Sequence, residues 1–257
     1  MTARPLSRPH CPLVSLDARS PLGRLLRLPL RLVPPTAVVP VLSGPLRGMR
    51  WIAGSAPAGA WVGTLERAKL KQFVQRLRRG MTVWDVGANV GLYTLPSARA
   101  VGPMGRVYAF EPMPRNFELL RRHLAMNRLS NVEIYEVAVV DAGRSLRMAE
   151  GDSPSEFHAD PAGRWQVPAV TLDDWLAASD SPSPDLVKID VEGSDDAVLR
   201  GGARTFAAYR PPIYLALHGE RQRRECAALL AGWGYRVTSL ECGMEPEESS
   251  EWLAERF

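Results

Sequence analysis

The amino-acid sequence predicts a doubly wound α/β domain, a mostly parallel sheet with helices on both faces. Short apolar runs of strand length alternate with stretches that carry apolar residues at helical spacing, from Thr82 to Cys242. A glycine-bearing turn, "DVGANVG" at Asp85–Gly91, follows the first such run, where open parallel sheets bind their ligands. A strand-terminal acid, Glu111, stands 20 residues beyond Gly91.

Ahead of the first strand, "ERAKLKQFVQRLRRG" sets Leu70, Phe73, Val74 and Leu77 on one stripe and closes with cations and Gly80, which reads as a helix. "MTVWDVG" is a short buried strand, and "GLYTLPSARAV" a helix with Pro96 close enough to its start to be tolerated. "GRVYAFEP", "PRNFELLRRHLAMNR" and "VEIYEVAVVD" continue as strand, helix and strand, with right-handed crossovers expected. A hairpin is expected around "DAGRS", then a polar loop over 151–164, then "QVPAVTLDDWLAA", a strand entering a helix capped by Thr171 or Asp173. "PDLVKIDVEG" is a strand, "SDDAVLRGG" a short helix ended by glycines, and "PPIYLALHG" a strand. "RQRRECAALLAGWGYRVTSLEC" supplies a helix, a glycine break and a closing strand.

The body so defined spans 46–243. Residues 1–45 form a basic, Pro- and Arg-rich arm with room for one short amphipathic helix, read either as a solvated lead-in or as a face touching an anionic membrane or a carrier partner. Residues 244–257 form an acidic tail with little to bury beyond Trp252, Leu253 and Phe257, expected as a loose end or a packing clasp.

The net charge of +4 is lopsided. Residues 1–50 hold eight arginines against Asp17 alone, so the remainder is slightly acidic and offers no case for nucleic-acid binding. No run approaches the roughly 20 apolar residues of a membrane span. The cysteines, Cys11, Cys226 and Cys242, are odd in number and never paired as CxxC, which fits a reducing cytoplasm rather than a disulfide or zinc framework. Oligomeric state is not legible.

Gly87 and Gly91 permit backbone angles closed to other residues and let a ligand lie against main-chain atoms. The spacing is GxxxG after an acid, not the GxGxxG that seats a pyrophosphate. A sulfonium ligand without phosphate, S-adenosylmethionine, suits that acid. Asp85 could accept from its amino group or order a bridging water, and Asn89 could meet its carboxylate or the neighbouring loop. Glu111 stands where an acid reaches both ribose hydroxyls, although a lone acid there also serves as helix N-terminal charge. Ala138, between Val137 and Val139, offers an apolar bed for adenine, with ordinary core strand as the equal alternative.

Asp190 and Glu192 end the fourth strand, at the reactive end of the ligand. They could orient an acceptor, bind the ligand's amino group or hold a divalent ion; no further metal-ligand spacing appears, and no metal site is assigned. His218 closes the fifth strand at the same edge and could take the acceptor's proton or simply hydrogen-bond there. His10 lies in the arm, and His123 and His158 read as packed or solvated imidazoles.

With these residues in place, the chain resembles the FkbM family of S-adenosylmethionine-dependent methyltransferases from about Gly44 to Cys242. The resemblance is carried by "GTLE" at Gly63–Glu66, "DVGANVGLYT", "AFEPMPRNFELL", "VAVVD", "VTLDDWL" and "DLVKIDVEGSDDAVLRGG". It implies a Rossmann-like methyltransferase sheet, S-adenosylmethionine as cofactor and O-methylation of a polyketide, sugar or glycolipid hydroxyl. It implies cofactor contacts at Asp85, Gly87, Asn89, Gly91 and Glu111, a reaction centre at Asp190 and Glu192, and a loop-holding role for Asn116. One position departs: such proteins often carry an acid where this chain has Ala216, for which Glu220 might substitute. Two other readings remain: a non-catalytic cofactor-binding module, and a nucleotide-dependent reductase or epimerase, against which the missing GxGxxG and YxxxK patterns argue.

Overall fold

The computed structural model describes residues 30, 32–143, 145–151 and 157–256. The short amphipathic helix expected early in the arm, together with His10 and Cys11, lies outside these residues.

Seven strands form the central sheet: β3 (Thr82–Val86), β4 (Arg106–Phe110), β5 (Val132–Tyr135), β10 (Leu186–Ile189), β11 (Ile213–Ala216), β12 (Tyr235–Ser239) and β13 (Glu251–Arg256). Their spatial order is β12-β13-β11-β10-β3-β4-β5, and every pairing is parallel except the two that β13 makes. The chain builds outward from β3 through β4 to β5, then returns to lay β10 on the other side of β3. The strand order therefore reverses between β3 and β10, and a crevice opens at their carboxyl ends.

All five residues of β3 are buried, as expected for a strand covered on both faces. Val83, Val107, Leu186 and Leu253 enter one core with Leu70, Phe73 and Leu95 from the helices Arg67–Arg76 and Thr94–Val101. Trp84, Tyr108, Phe110, Val187 and Trp252 enter the other, where Trp175 of the helix Leu172–Ala178 makes edge-on contacts with Trp84 and Phe110. Thr171 caps that helix, its hydroxyl accepting from the Asp174 amide at 3.0 Å.

Four expectations change. "VEIYEVAVVD" is two strands: β5 ends at Tyr135, and β6 (Ala138–Val139) leaves the central sheet to pair with β9 (Trp165–Val170). β5 is an edge strand, so continuing along it would leave the apolar Ala138 and Val139 half-covered; against β9 both are buried. The hairpin around "DAGRS" does not form, because β9 lies between β6 and β7 (Ser145–Glu150). Within the expected polar loop, Phe157–Ala159 is a further strand, β8, paired with β7 and anchored by the buried Phe157; residues 152–156 lie outside the described residues.

The acidic tail is the fourth case. Glu251–Arg256 is wedged between β11 and β12 with Trp252, Leu253 and Ala254 all buried. Its glutamates meet cations of the helix Arg67–Arg76: Lys69 bonds Glu251 at 2.5 Å, and Arg76 forks onto Glu255. At the other end, β1 (Val38–Pro40) in the arm pairs antiparallel with β2 (Arg50–Ile52), and Val41 is buried. Among the described residues, no helix is long and apolar enough to cross a membrane.

Trp252 is nearly inaccessible, and its indole N–H donates to Pro246 O at 2.8 Å. Trp252→Ala should lower the unfolding free energy by roughly 3–5 kcal/mol in urea titrations. A loss below about 1 kcal/mol would show that β13 is not an integral part of the sheet.

Candidate active site

A cavity of about 230 Å³ sits over the carboxyl ends of β3, β4 and β10. Asp85, Gly87, Asn89, Glu111, Asp190 and Glu192 all line it. Its apolar walls come from the segment before β3, with Trp51, Pro57 and Ala60, and from the small sheet, with Met148 and Phe157.

The floor is two turns in direct contact. A Cβ on Gly87 would sit 1.8 Å from Asp190 O, and φ at Gly87 is +82°, so both space and backbone demand glycine where the β3 and β10 turns touch. The Gly87 and Ala88 amides both donate to Phe110 O at 3.0 Å, tying in the β4 turn. Gly91, with φ +101°, has the Leu95 and Leu120 side chains where a Cβ would go, which presses the following helix against Pro114–Met126. Gly91 thus acts through packing rather than as a wall of the cavity.

Asp85 and Glu111 are 2% and 4% exposed. Thr94 Oγ1 donates to Asp85 Oδ2 at 2.5 Å. Glu111 accepts the Asn89 amide on Oε2 at 2.8 Å and the Met113 amide on Oε1 at 2.9 Å, and Asn116 also hydrogen-bonds it. Burial outweighs these donors: it pushes Asp85 up to about 6 and Glu111 up to about 7. These three donors leave one of the roughly four lone-pair sites of the Glu111 carboxylate open to a ligand hydroxyl. Two desolvated acids short of positive charge, on a floor without a pyrophosphate cradle, fit a ligand bearing hydroxyls, an ammonium and a sulfonium.

His218 is not among the residues lining the cavity but stands next to two that are: its Nε2 lies 3.2 Å from Glu192 Oε2 and 3.7 Å from Asp190 Oδ1. Its Nδ1 lies 3.4 Å from Oδ2 of the buried Asp195. Burial pulls the imidazole down, but Asp195, Asp190 and Glu192 together raise it to about 9. Glu192 holds φ at +51°, Asn89 at +49° and Glu66 at +47°, three left-handed non-glycine residues that line the cavity.

Ala138 is not a wall of this cavity. It lines a smaller one of about 30 Å³ with Val137 and Val139, behind Gly87 and Pro112. Glu220 begins the helix Glu220–Gly232 with its side chain 78% exposed, turned away from the Ala216 position. The residue paired with Ala216 across the ladder is Glu251, so an acid does stand beside that position, supplied by β13. His123 is buried against Trp51, its Nε2 accepting the Ile52 amide at 3.0 Å and its Nδ1 2.7 Å from Val90 O; burial pulls it down to about 4. It is a structural pin.

Lys188 went unremarked in the sequence. It is 2% exposed, bonds Asp190 Oδ2 at 3.1 Å and stacks its ammonium 5.0 Å from the Tyr93 ring centroid. Burial opposes its charge, but Asp190, Glu251 and Glu66 keep it protonated, so it is the buried counter-charge of the site. A lysine inside the apolar run "LVKI" was the available signal.

The sequence pattern of the Methyltransferase FkbM domain matches residues 85–246. The chain is 29% identical over 209 residues to 31-O-demethyl-FK506 methyltransferase FkbM of Streptomyces tacrolimicus, covering 68% of this chain and 79% of that protein. It is 26% identical over 145 residues to hexuronic acid methyltransferase AglP of Haloferax volcanii, covering 53% and 56%. Among solved structures, Methyltransferase FkbM from Methylobacillus flagellatus KT superposes with a TM-score of 0.51 at 16% identity, over 72% of this chain and 46% of that one, a likeness of fold.

Glu111 sets a pH signature. The unfolded chain releases this proton near the ordinary value of 4.5, whereas the folded chain keeps it to about 7. Glu111 therefore destabilises the ligand-free fold increasingly between these values, by on the order of 3 kcal/mol, and constantly above them. Melting curves from pH 4.5 to 8 should fall less steeply for Glu111→Gln than for the parent; identical slopes would show that Glu111 ionises freely.

Proposed function

The chain belongs to the FkbM methyltransferase family and is an S-adenosylmethionine-dependent methyltransferase, and on that premise we propose that its acceptor is a hydroxyl of a small molecule, sugar or glycolipid. The observation that carries the reading is the convergence of Asp85, Glu111, Asp190 and Glu192 on one cavity at the reversal of strand order, with His218 beside the last two. The hydroxyl acceptor draws support from two relatives, one named for a 31-O-demethyl substrate and one for hexuronic acid.

When bound, S-adenosylmethionine supplies a methyl group activated by a positively charged sulfur. Glu111 would hold its ribose hydroxyls, and Asp85 its amino group directly or through water. Asn89 and the glycine turn would seat the methionine portion, and Ala138, in the smaller cavity it shares with Pro112, would back the adenine side. Asp190 and Glu192 would orient the acceptor hydroxyl, and His218 would take its proton. The carboxylates around His218 favour the imidazolium, so a base role needs incoming positive charge to offset them. Positioning alone can lower the barrier by roughly 7–11 kcal/mol, which makes the base helpful rather than required. The apolar wall of Trp51, Pro57 and Ala60 suits the non-reacting body of an acceptor.

Calorimetry should show binding of S-adenosylmethionine, weakened roughly 100-fold in Glu111→Ala, which loses charge-assisted hydrogen bonds. His218→Ala should bind it as the parent does and transfer methyl groups about 10²- to 10⁴-fold more slowly; an unchanged rate removes His218 from the mechanism. Methyl-labelled cofactor offered with a panel of sugars, uronic acids and polyketides should mark a hydroxyl oxygen of one of them, and not a carboxyl oxygen, read by fragmentation mass spectrometry. Label appearing on nitrogen or carbon, or on nothing while the cofactor still binds, would overturn the hydroxyl reading.

A further inference from the structure

Three side chains at the edge of the cavity come from separate points in the chain. Asp190 ends β10, Glu192 follows two residues later in a left-handed turn, and His218 ends β11. One donor atom from each lies within 4.8 Å of the others. Donors at adjacent corners of a six-coordinate ion with bonds of about 2.1 Å stand about 3 Å apart. The 3.2 Å and 3.7 Å separations from His218 Nε2 to the two carboxylates are close to that spacing.

The surroundings supply the second half of the argument. Asp195, fully buried, faces Nδ1 of His218 at 3.4 Å, the arrangement in which a carboxylate behind a ligating imidazole directs its other nitrogen outward. Asp195 is itself held by the Val191 amide, which donates to its Oδ1 at 3.3 Å. Lys188 occupies Oδ2 of Asp190, which leaves Oδ1 turned toward His218. All three candidate ligands are partly exposed, with side chains 29%, 40% and 31% accessible, so an ion can enter from the cavity.

We propose that Asp190, Glu192 and His218 form a three-ligand site for a divalent cation, with Asp195 as the positioning residue behind His218. Two carboxylates favour Mg²⁺ and Mn²⁺, while an imidazole favours later transition metals, so the mixed set is best matched by Mn²⁺ among the common ions. Three protein ligands leave positions for oxygen donors from outside. If the chain methylates a hydroxyl as argued above, the ion would hold that oxygen. With His218 engaged as a ligand in place of the base role given to it above, the hydroxyl proton would go to solvent, the new O–C bond would form, and the S–C bond would break with its electron pair returning to sulfur.

The ion site itself does not depend on the methyl-transfer reading, and its test needs neither cofactor nor acceptor. Chelator-treated, dialysed protein is titrated with Mn²⁺ alone and free Mn²⁺ is followed by electron paramagnetic resonance. One equivalent should bind to the parent. His218→Ala and Glu192→Gln should each weaken binding at least about 10-fold, and Asp195→Asn should weaken it about 10- to 100-fold while leaving all three ligands in place. Thermal melts of each variant confirm folding. Saturation with no bound Mn²⁺ up to about 1 mM, or equal binding by folded His218→Ala, would overturn the site and establish His218 as a plain ion-pair partner of the acids. Either result leaves the S-adenosylmethionine titration of the preceding section unaffected.

Discussion

The contact between two backbone turns underlies the rest of this molecule. At Gly87, the end of β3 comes so close to the end of β10 that no side chain fits between them. That closeness places Asp85 and Asn89 from one strand, and Asp190 and Glu192 from its neighbour, on the rim of a single crevice. It also aligns the Phe110 carbonyl to receive two amides from the glycine turn, which draws Glu111 into the same space. A side chain larger than hydrogen at residue 87 would force the strand ends apart and separate groups that must act on one ligand. The sheet supplies the rigidity that makes the contact informative, since both strands are buried on both faces and their register is continuous from Val83 to Val86.

The crevice is electrostatically unfinished in the absence of ligand. Asp85 and Glu111 are buried acids raised by desolvation, and the positive groups nearby, Lys188 and His218, are already committed to Asp190, Glu192 and Asp195. A ligand that brings hydroxyl donors and positive charge relieves that imbalance, so binding and stabilisation are coupled. Lys188 connects this imbalance to the far side of the sheet, because Glu251 on β13 helps keep it charged and is itself bound to Lys69.

Much of this was legible in the sequence where chemistry and chain position coincide. The alternation of strand and helix from Thr82 onward could be read because each apolar run is bounded by glycine, proline or a cap such as Thr171. Asp85 and Glu111 were identifiable because each stands at the carboxyl end of a strand, beside a turn. The division of "VEIYEVAVVD" was not, because its apolar character is continuous and only tertiary packing decides that Ala138 belongs with β9. β13 was hidden for the opposite reason: three apolar residues among glutamates look solvated until Lys69 and Arg76 are found opposite them. The approach of His218 to Glu192 and Asp195 joins residues 26 and 23 positions apart, and no spacing rule reports on it.

The antiparallel strand β13 also bears on how the molecule is made. On a ribosome, β11 and β12 emerge before it, and until residues 251–256 follow, the two present open edges to solvent with nothing between them. The sheet would then be completed by insertion rather than by extension, with a late segment prying between two strands already synthesised. A nascent chain held short of that segment would carry every residue that lines the cavity and yet display two adhesive β-edges.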